Sequence, residues 1–569
     1  MSAIEGKTTA VSTVGETLPP QERKRSYGTL EPDGENTDAN NPFLDQEVAE
    51  YWRTVYEKAQ YECRHVFDPS LTWTAEEEKA IVRKLDWRIC LWACVMFFAL
   101  QVDRGNLVQA VSDTFLTDLG LTTNVQRMAV GFLDPEKYSK RYLLDYNYGN
   151  IAFRLSFLVA ELPSQLVSKK LGPDRWIPVQ MVLWSVVAIA QCRLSGKTSF
   201  FVTRCLLGAL EGGFIPDIVL WLSYFYTARE LPVRLSFFWT SLSVTTIVTS
   251  LLAFAVFHLS GVHGMAGWQW LFLIEGLITL SIGLASFFMM PASVVQTKTW
   301  FRPKGWFSDR EVAIVANRVL RDDPSKGDMH NRQAITPTRL WSAIKDYHMW
   351  PIYLIGVVAY IPQSPVNSYI TLTLRSVGFD KFQTNLLTIP ASVFHIINLL
   401  IITWVASRLN SWSLVAMFQG LWTLPCLFAL RFWPDVISNA WGTYAVVTVL
   451  LSYPYCHAIV VAWASRNSNN VGNRSVSAAL YNMAVQAGDV AAYFIYRDDD
   501  KPKYRRGNTS LIAINILAIA LFLGAKAYYV YENGRREKIW NQMSEEERNE
   551  YIKNTDVQGS KRLDFRFAH

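Results

Sequence analysis

Apolar blocks alternate along the chain with short polar breaks, and about twelve of them reach the roughly 20 residues that a helix needs to cross a hydrocarbon core. They begin near Trp87, Tyr148, Trp176, Ser199, Leu235, Trp270, Met349, Thr384, Ser413, Ala440, Ser475 and Leu511. Six precede and six follow a hydrophilic stretch at 294–347. The pattern predicts an all-α membrane protein of twelve transmembrane helices in two six-helix bundles, over 86–293 and 348–532. Residues 1–85 read as a largely disordered tail, polar and without the apolar core of a signal peptide. Within it, 41–68 has the pattern of a short amphipathic segment, and 74–88 that of a helix acidic at its start and basic at its end. Residues 533–569 form a second charged tail.

Basic residues beside the blocks set the orientation. Lys169, Lys170, Arg175, Arg229, Arg234, Arg408, Arg466 and Arg474 fall on the side of the central stretch, which makes that side and both termini cytosolic. Arg497, Lys501, Lys503, Arg505 and Arg506 fall opposite and disagree. The plasma membrane is the expected location.

Composition narrows the class. The chain is 50% hydrophobic and 18% charged, below the usual quarter for soluble domains. Seven cysteines against 21 tryptophans exclude a disulfide-stapled scaffold, and most fall inside apolar blocks as reduced packing residues. A net charge of +6 without a basic stripe interleaved with aromatics gives no nucleic-acid surface. There is no phosphate-cradling loop, zinc-ligand spacing or nucleophile elbow, so no cofactor, metal or enzymatic activity is expected.

Charges inside the blocks carry the functional signal, because ionisable groups in a membrane are costly unless they pair or face a watery cavity. The uncharged run Ile89 to Leu100 covers only about 18 Å as a helix. The first span must therefore continue through Asp103, Arg104 and Asn106, as a site or as a structural ion pair. In the fourth span Arg204 and Glu211 are seven residues apart, on one helix face and about 10 Å from each other. Gly208, Gly212 and Gly213 suit close helix approach and Pro216 a bend. Arg154 and Glu161 repeat the spacing in the second span and read equally as structural or functional. Glu275 reads as a packing anchor, His395 as a core histidine, His457 as a histidine beside a broken polar segment, and Asp489 as ambiguous. Asn508-Thr509-Ser510 is a glycosylation acceptor sequence in an outer loop.

Several strings resemble one fungal branch of the major facilitator superfamily, the allantoate permease group of the anion:cation symporters. They are Asp103-Arg104-Gly105-Asn106-Leu107, Tyr146 to Gly149, Glu161 to Gln165, Arg204 to Pro216, Tyr224 to Tyr226 with Glu230 to Arg234, Gly267 to Gly276, and Arg506 to Asn508. The resemblance implies two bundles around a central cavity and proton-coupled transport of a small organic anion such as allantoate, ureidosuccinate, nicotinate, pantothenate or biotin, by a monomer in the bilayer. It implies Arg104 and Arg204 as substrate contacts and Asp103 and Glu211 as proton-coupling carboxylates; beside these, Asn106 is a candidate substrate contact, and Arg154, Glu161 and His457 are candidate secondary positions. The loop Ser168 to Arg175 is a degenerate form of the superfamily's gate motif. Residues 125–144 have no counterpart in relatives and are either an outer loop or a translated intron, the second being favoured. Export of a secondary metabolite and non-transporting nutrient reception are the rival readings.

Overall fold

The computed structural model describes residues 41–121, 145–227, 230–327, 341, 344–409, 411–436, 438–468, 471–497, 500, 503–554 and 559–569. The segment 125–144 lies outside them. The first half consists of α1 (Gln46–Lys58), α2 (Ala75–Leu85), α3 (Leu91–Ala110), α4 (Asp145–Leu171), α5 (Pro173–Ala190), α6 (Lys197–Glu211), α7 (Phe214–Ser223), α8 (Leu231–Val256) and α9 (Gly267–Met289). After α10 (Asp309–Asp322), the second half follows with α11 (Trp350–Val358), α12 (Ile389–Leu409), α13 (Trp412–Phe432), α14 (Ala440–Leu451), α15 (His457–Asn467), α16 (Val471–Ala492) and α17 (Arg505–Gln542).

Among the described residues nine helices are long and apolar enough to cross a membrane, six before α10 and three after it. The remaining blocks also form helices, in keeping with twelve spans. The seventh is interrupted after Val358 and resumes at Ser364–Ser368, and the tenth is interrupted between α14 and α15. Pro362 and Pro454 lie in these two breaks, where a residue without an N–H cannot continue the helical ladder. The eleventh, α16, is continuous but carries Asn482, Gln486 and Asp489.

The fourth span divides at Gly212 and Gly213 rather than at Pro216. Gly213 adopts φ +87°, and a Cβ there would stand 2.5 Å from the Ser164 hydroxyl. Pro216 sits in the first turn of α7, where its missing N–H costs nothing. A Cβ at Gly208 would lie 2.2 Å from the Phe153 carbonyl oxygen, so this glycine is what lets α6 press against α4.

Within the expected tail, the described residues 41–85 include α1 and α2 and pack on α10. Helix α10 opens with a capping box, Ser308 with Glu311, and buries Val312, Val315 and Val319. Asn317 accepts from the Asp68 N–H at 2.8 Å and donates to the Val66 carbonyl at 2.8 Å. Arg310 pairs with Glu77 at 2.8 Å and Lys84 with Glu311 at 2.9 Å. The Arg310 guanidinium holds the Glu77 carboxyl at about 2, so this contact is fully formed above the ordinary carboxylate range and is lost only as pH falls toward that value. Arg318, 3% exposed, reaches into the first bundle, pairing with Glu230 at 2.7 Å and donating to the Phe225 carbonyl at 3.0 Å. Arg318→Ala should cost about 2–3 kcal/mol, somewhat below the cost of breaking a fully buried pair because Glu230 keeps some accessible surface. Arg318→Lys should restore only part of this, because a lysine lacks the fork that serves both partners. Thermal unfolding of the purified protein in detergent measures both.

The second charged tail is also docked. Phe567 is buried against Tyr529 and His348 with ring centroids at 5.0 and 5.2 Å, under the Arg536 guanidinium at 4.5 Å. The Ala568 carbonyl accepts from Trp463 Nε1 at 2.7 Å.

Candidate functional site

The side-chain hydrogen bonds and ion pairs described between the halves cluster at mid-depth and toward the end opposite α10. Lys381 pairs with Asp113 at 3.2 Å, Asn385 donates to Ser112 at 3.3 Å, and the Ser250 and Thr388 hydroxyls meet at 2.8 Å. Thr371 donates to the Val108 carbonyl at 2.9 Å, and Asn147 binds both the Tyr369 hydroxyl and the Tyr493 carbonyl. The distal end is thus latched shut by polar contacts.

Beneath this latch lie the arginines. Arg104 Nε donates to Glu211 Oε2 at 2.7 Å, joining the first span to the fourth, and its guanidinium lies 4.8 Å from the Phe157 ring centre. Glu211 is fully buried and its Oε1 has no hydrogen-bond partner among the described residues. Arg204 is 3% exposed, and its described contacts are the Asn150 side-chain oxygen at a long 3.4 Å and the Phe153 ring at 4.6 Å; its Nε and Nη1 have no partner among the described residues. Arg154 crosses between the halves, donating to Gln486 Oε1 at 2.7 Å and pairing with Asp489 at 3.3 Å. The side chains of Arg104, Arg154 and Asp489 are 14%, 24% and 17% exposed at mid-bundle depth, so solvent-sized space reaches them.

The structure brings together some of the sequence candidates and separates others. Arg104, Arg204 and Glu211 share one site, but the direct partner of Glu211 is Arg104, as two turns of helix put Arg204 too far along the same face. Asp103 turns away from its neighbour Arg104, as adjacent helical residues point about 100° apart. It is fully buried beside Thr279 of α9 and Trp184 of α5 and makes no ion pair with Arg104. Asn106 is likewise fully buried with both side-chain polar atoms unpartnered among those residues. Glu161 stays within the first half near Asp217, whereas Arg154, on the same helix, reaches into the second half. His457 opens α15 and is buried in a group of aromatic rings.

Asn508, the expected glycosylation site, lies in the first turn of α17. It is 4% exposed; its amide donates to the Leu430 and Lys503 carbonyls at 3.4 Å, and its oxygen accepts from the Tyr496 hydroxyl at 2.7 Å. Burial and three hydrogen bonds around that amide argue against a glycan on it in the folded protein. Glycosidase treatment should leave the electrophoretic mobility unchanged, and Asn508→Gln should migrate with the wild type.

Asn150, Gln486 and the rings of Phe153 and Phe157 were not among the sequence candidates. Their side chains are neutral and ordinary within apolar spans, and only the packing of α4 against α6 and α16 reveals their use.

Paired buried charges in a two-bundle helical membrane protein, closed between the halves at one end, define a membrane carrier. The sequence profile of the Major Facilitator Superfamily matches residues 87–493, and the chain belongs to that superfamily. It is 42% identical over 533 residues to an uncharacterized transporter of Saccharomyces cerevisiae, covering 93% of this chain and 94% of that one. It is 26% identical to the MFS transporter prlL of a fungal species, covering 81% and 88%. Among solved structures, the proton:xylose symporter XylE superposes with a TM-score of 0.58 at 10% identity, covering 77% of this chain and 95% of that one. At that identity the likeness is one of fold. The protein is a multi-pass secondary transporter and not an enzyme.

Proposed function

We propose that this carrier moves a small organic anion by proton symport, within the allantoate permease branch of the superfamily, from the plasma membrane and with both termini in the cytosol. The observation that carries the reading is Arg204, a nearly buried guanidinium whose described contacts are a distant amide oxygen and an aromatic face. A buried cation of this kind is stabilised by an anion, and a carboxylate suits the guanidinium fork. Arg104, a neighbour in the same cluster, supplies the second contact.

The Arg104–Glu211 pair supports the coupling step. A substrate carboxylate that takes Arg104 leaves Glu211 buried without its counter-charge, a condition that favours protonation of a carboxylate. The loaded cavity is then neutralised and the halves can rock past each other, breaking the contacts at the distal end. Each pH unit across the membrane drives one proton with about 1.4 kcal/mol, and each 100 mV moves one charge with about 2.3 kcal/mol.

A fungus lacking its own anion carriers, expressing this chain and grown on single ureides, vitamins or organic acids as sole nitrogen or growth-factor source, tests the reading. An importer restores growth on at least one acid and raises its accumulation in acidic medium. Lowered accumulation identifies an exporter, and binding without accumulation a receptor; either result ends the proposal.

A further inference from the structure

The two interrupted spans of the second half meet. Gln419 of α13 donates to the Ala359 carbonyl in the first break at 3.1 Å, and its Oε1 accepts from the Cys456 N–H in the second break at 3.1 Å. The rings at these breaks converge on His457. Tyr455 stands 5.6 Å away with its plane within 13° of the imidazole and Tyr360 lies at 5.7 Å, while Tyr481 of the continuous α16 adds a third ring at 5.4 Å. Across the interface between the halves, Trp239 of α8 meets the same imidazole edge-on at 4.8 Å. Tyr360 and Tyr481 share a hydroxyl–hydroxyl bond of 2.7 Å, which rigidifies the group.

A core cluster satisfies its polar atoms, and this one does not. His457 is 4% exposed and its Nδ1 has no hydrogen-bond partner among the described residues; Gln363 Oε1, in the Tyr360 segment, is in the same condition. Trp239 and Tyr455 are only partly buried, so part of each ring remains accessible. Interrupted helices at mid-membrane are where carriers build substrate sites.

We propose that these rings form a second substrate subsite, which holds a planar aromatic ring carried by the same anion whose carboxylate meets Arg104 and Arg204. This rests on the anion reading above and specifies the other end of the molecule. The spacing suits one ligand. Phe97, 5.4 Å from Trp239, is seven residues before Arg104 on α3, which is about 10 Å along the axis. Tyr481 is five residues before Gln486, the partner of Arg154, on α16, which is about 7.5 Å. A two-carbon linker and the reach of an arginine close such a gap. A hydroxyl-rich ring fits less well, because the tyrosine hydroxyls at the centre are engaged with each other and unpaired ligand hydroxyls are penalised. A flat, largely apolar ring brings no hydroxyls that would go unpaired among these side chains.

The test compares 3-phenylpropionate with 3-cyclohexylpropionate, equal in charge and length and different in ring planarity, by calorimetric binding to the purified full-length carrier in nanodiscs. The phenyl acid should bind about tenfold tighter. Trp239→Leu and Tyr455→Leu should each bring that ratio to within about twofold, Tyr455→Phe should retain it, and Arg204→Ala should abolish binding of both acids. Equal affinities in the wild type, with Arg204→Ala still abolishing both, overturn the ring subsite and leave the anion site standing. A ratio untouched by both leucine variants also overturns it. Loss of neither acid in Arg204→Ala overturns the anion reading instead, and binding of neither acid to the wild type overturns the ring subsite as stated.

Discussion

The Glu211→Gln carrier should exchange substrate across the membrane and fail to concentrate it. A glutamine can still accept a hydrogen bond from Arg104 Nε, which in the native protein lies 2.7 Å from the carboxylate, so the local geometry has a reason to survive. What disappears is the titratable charge. If substrate capture by Arg104 is what leads Glu211 to take a proton, a side chain fixed in the neutral state mimics the loaded carrier and lets it reorient without a proton. Counterflow should persist within a few-fold of wild type, while accumulation driven by an acidic exterior falls to the equilibrium level. Asp103→Asn should weaken the same drive, because Asp103 is another fully buried carboxylate on the span that supplies Arg104. A structural ion pair gives another outcome: loss of exchange together with accumulation, or a protein that does not insert. Counterflow and pH-driven uptake in one reconstituted preparation separate the two.

Arg204→Ala should remove substrate binding almost entirely, by about 10- to 100-fold or more, the range expected when a charged hydrogen bond worth roughly 1.5–3 kcal/mol is lost. Stability should suffer less than in Arg104→Ala, as Arg204 makes no direct ion pair with Glu211, although the two charges attract, and its desolvation is itself a cost of folding. Arg204→Lys should recover little affinity, since an ammonium lacks the planar fork and stacks less well on Phe153, now 4.6 Å from the guanidinium. Arg104→Ala differs in a measurable way. It strands Glu211, so its effect should include a loss of thermal stability that Glu211→Gln in the same protein relieves. Equilibrium binding on detergent-purified variants, with melting curves beside it, distinguishes an anion site from a set of packing charges.

The spans were legible because lipid demands long apolar helices, and a block such as Gly267–Met289 has few other ways to satisfy its backbone. The interruptions were harder to place. The sequence around Tyr453 and Pro454 signals a broken polar segment, but that Tyr360 from another span would lie against it depends on Gln419 holding both breaks. The site was half legible. A charge stranded in an apolar run marks Arg104, Arg204 and Glu211 without saying which carboxylate meets which guanidinium. Partner choice depends on helix rotation and on how closely α6 approaches α4 at Gly208. Arg154 illustrates the remainder: its spacing from Glu161 names no partner, and the partners it has, Gln486 and Asp489, are more than 300 residues away in sequence. Helix α10 lies in a stretch that reads only as hydrophilic, because an amphipathic helix amid many charges gives a weak apolar signal, and its packing on 41–85 runs through Asn317, Arg318 and the chain they bind.

Uptake into proteoliposomes tests the central claim most directly. The purified carrier is reconstituted and given labelled allantoate, ureidosuccinate, nicotinate, pantothenate, biotin and 3-phenylpropionate in turn, with acid outside or with equal pH on both sides. Proton-coupled anion transport predicts that at least one acid accumulates above equilibrium with acid outside, only equilibrates at equal pH, and stops accumulating in Glu211→Gln. Accumulation that is indifferent to the pH gradient, or that survives unchanged in Glu211→Gln, contradicts it.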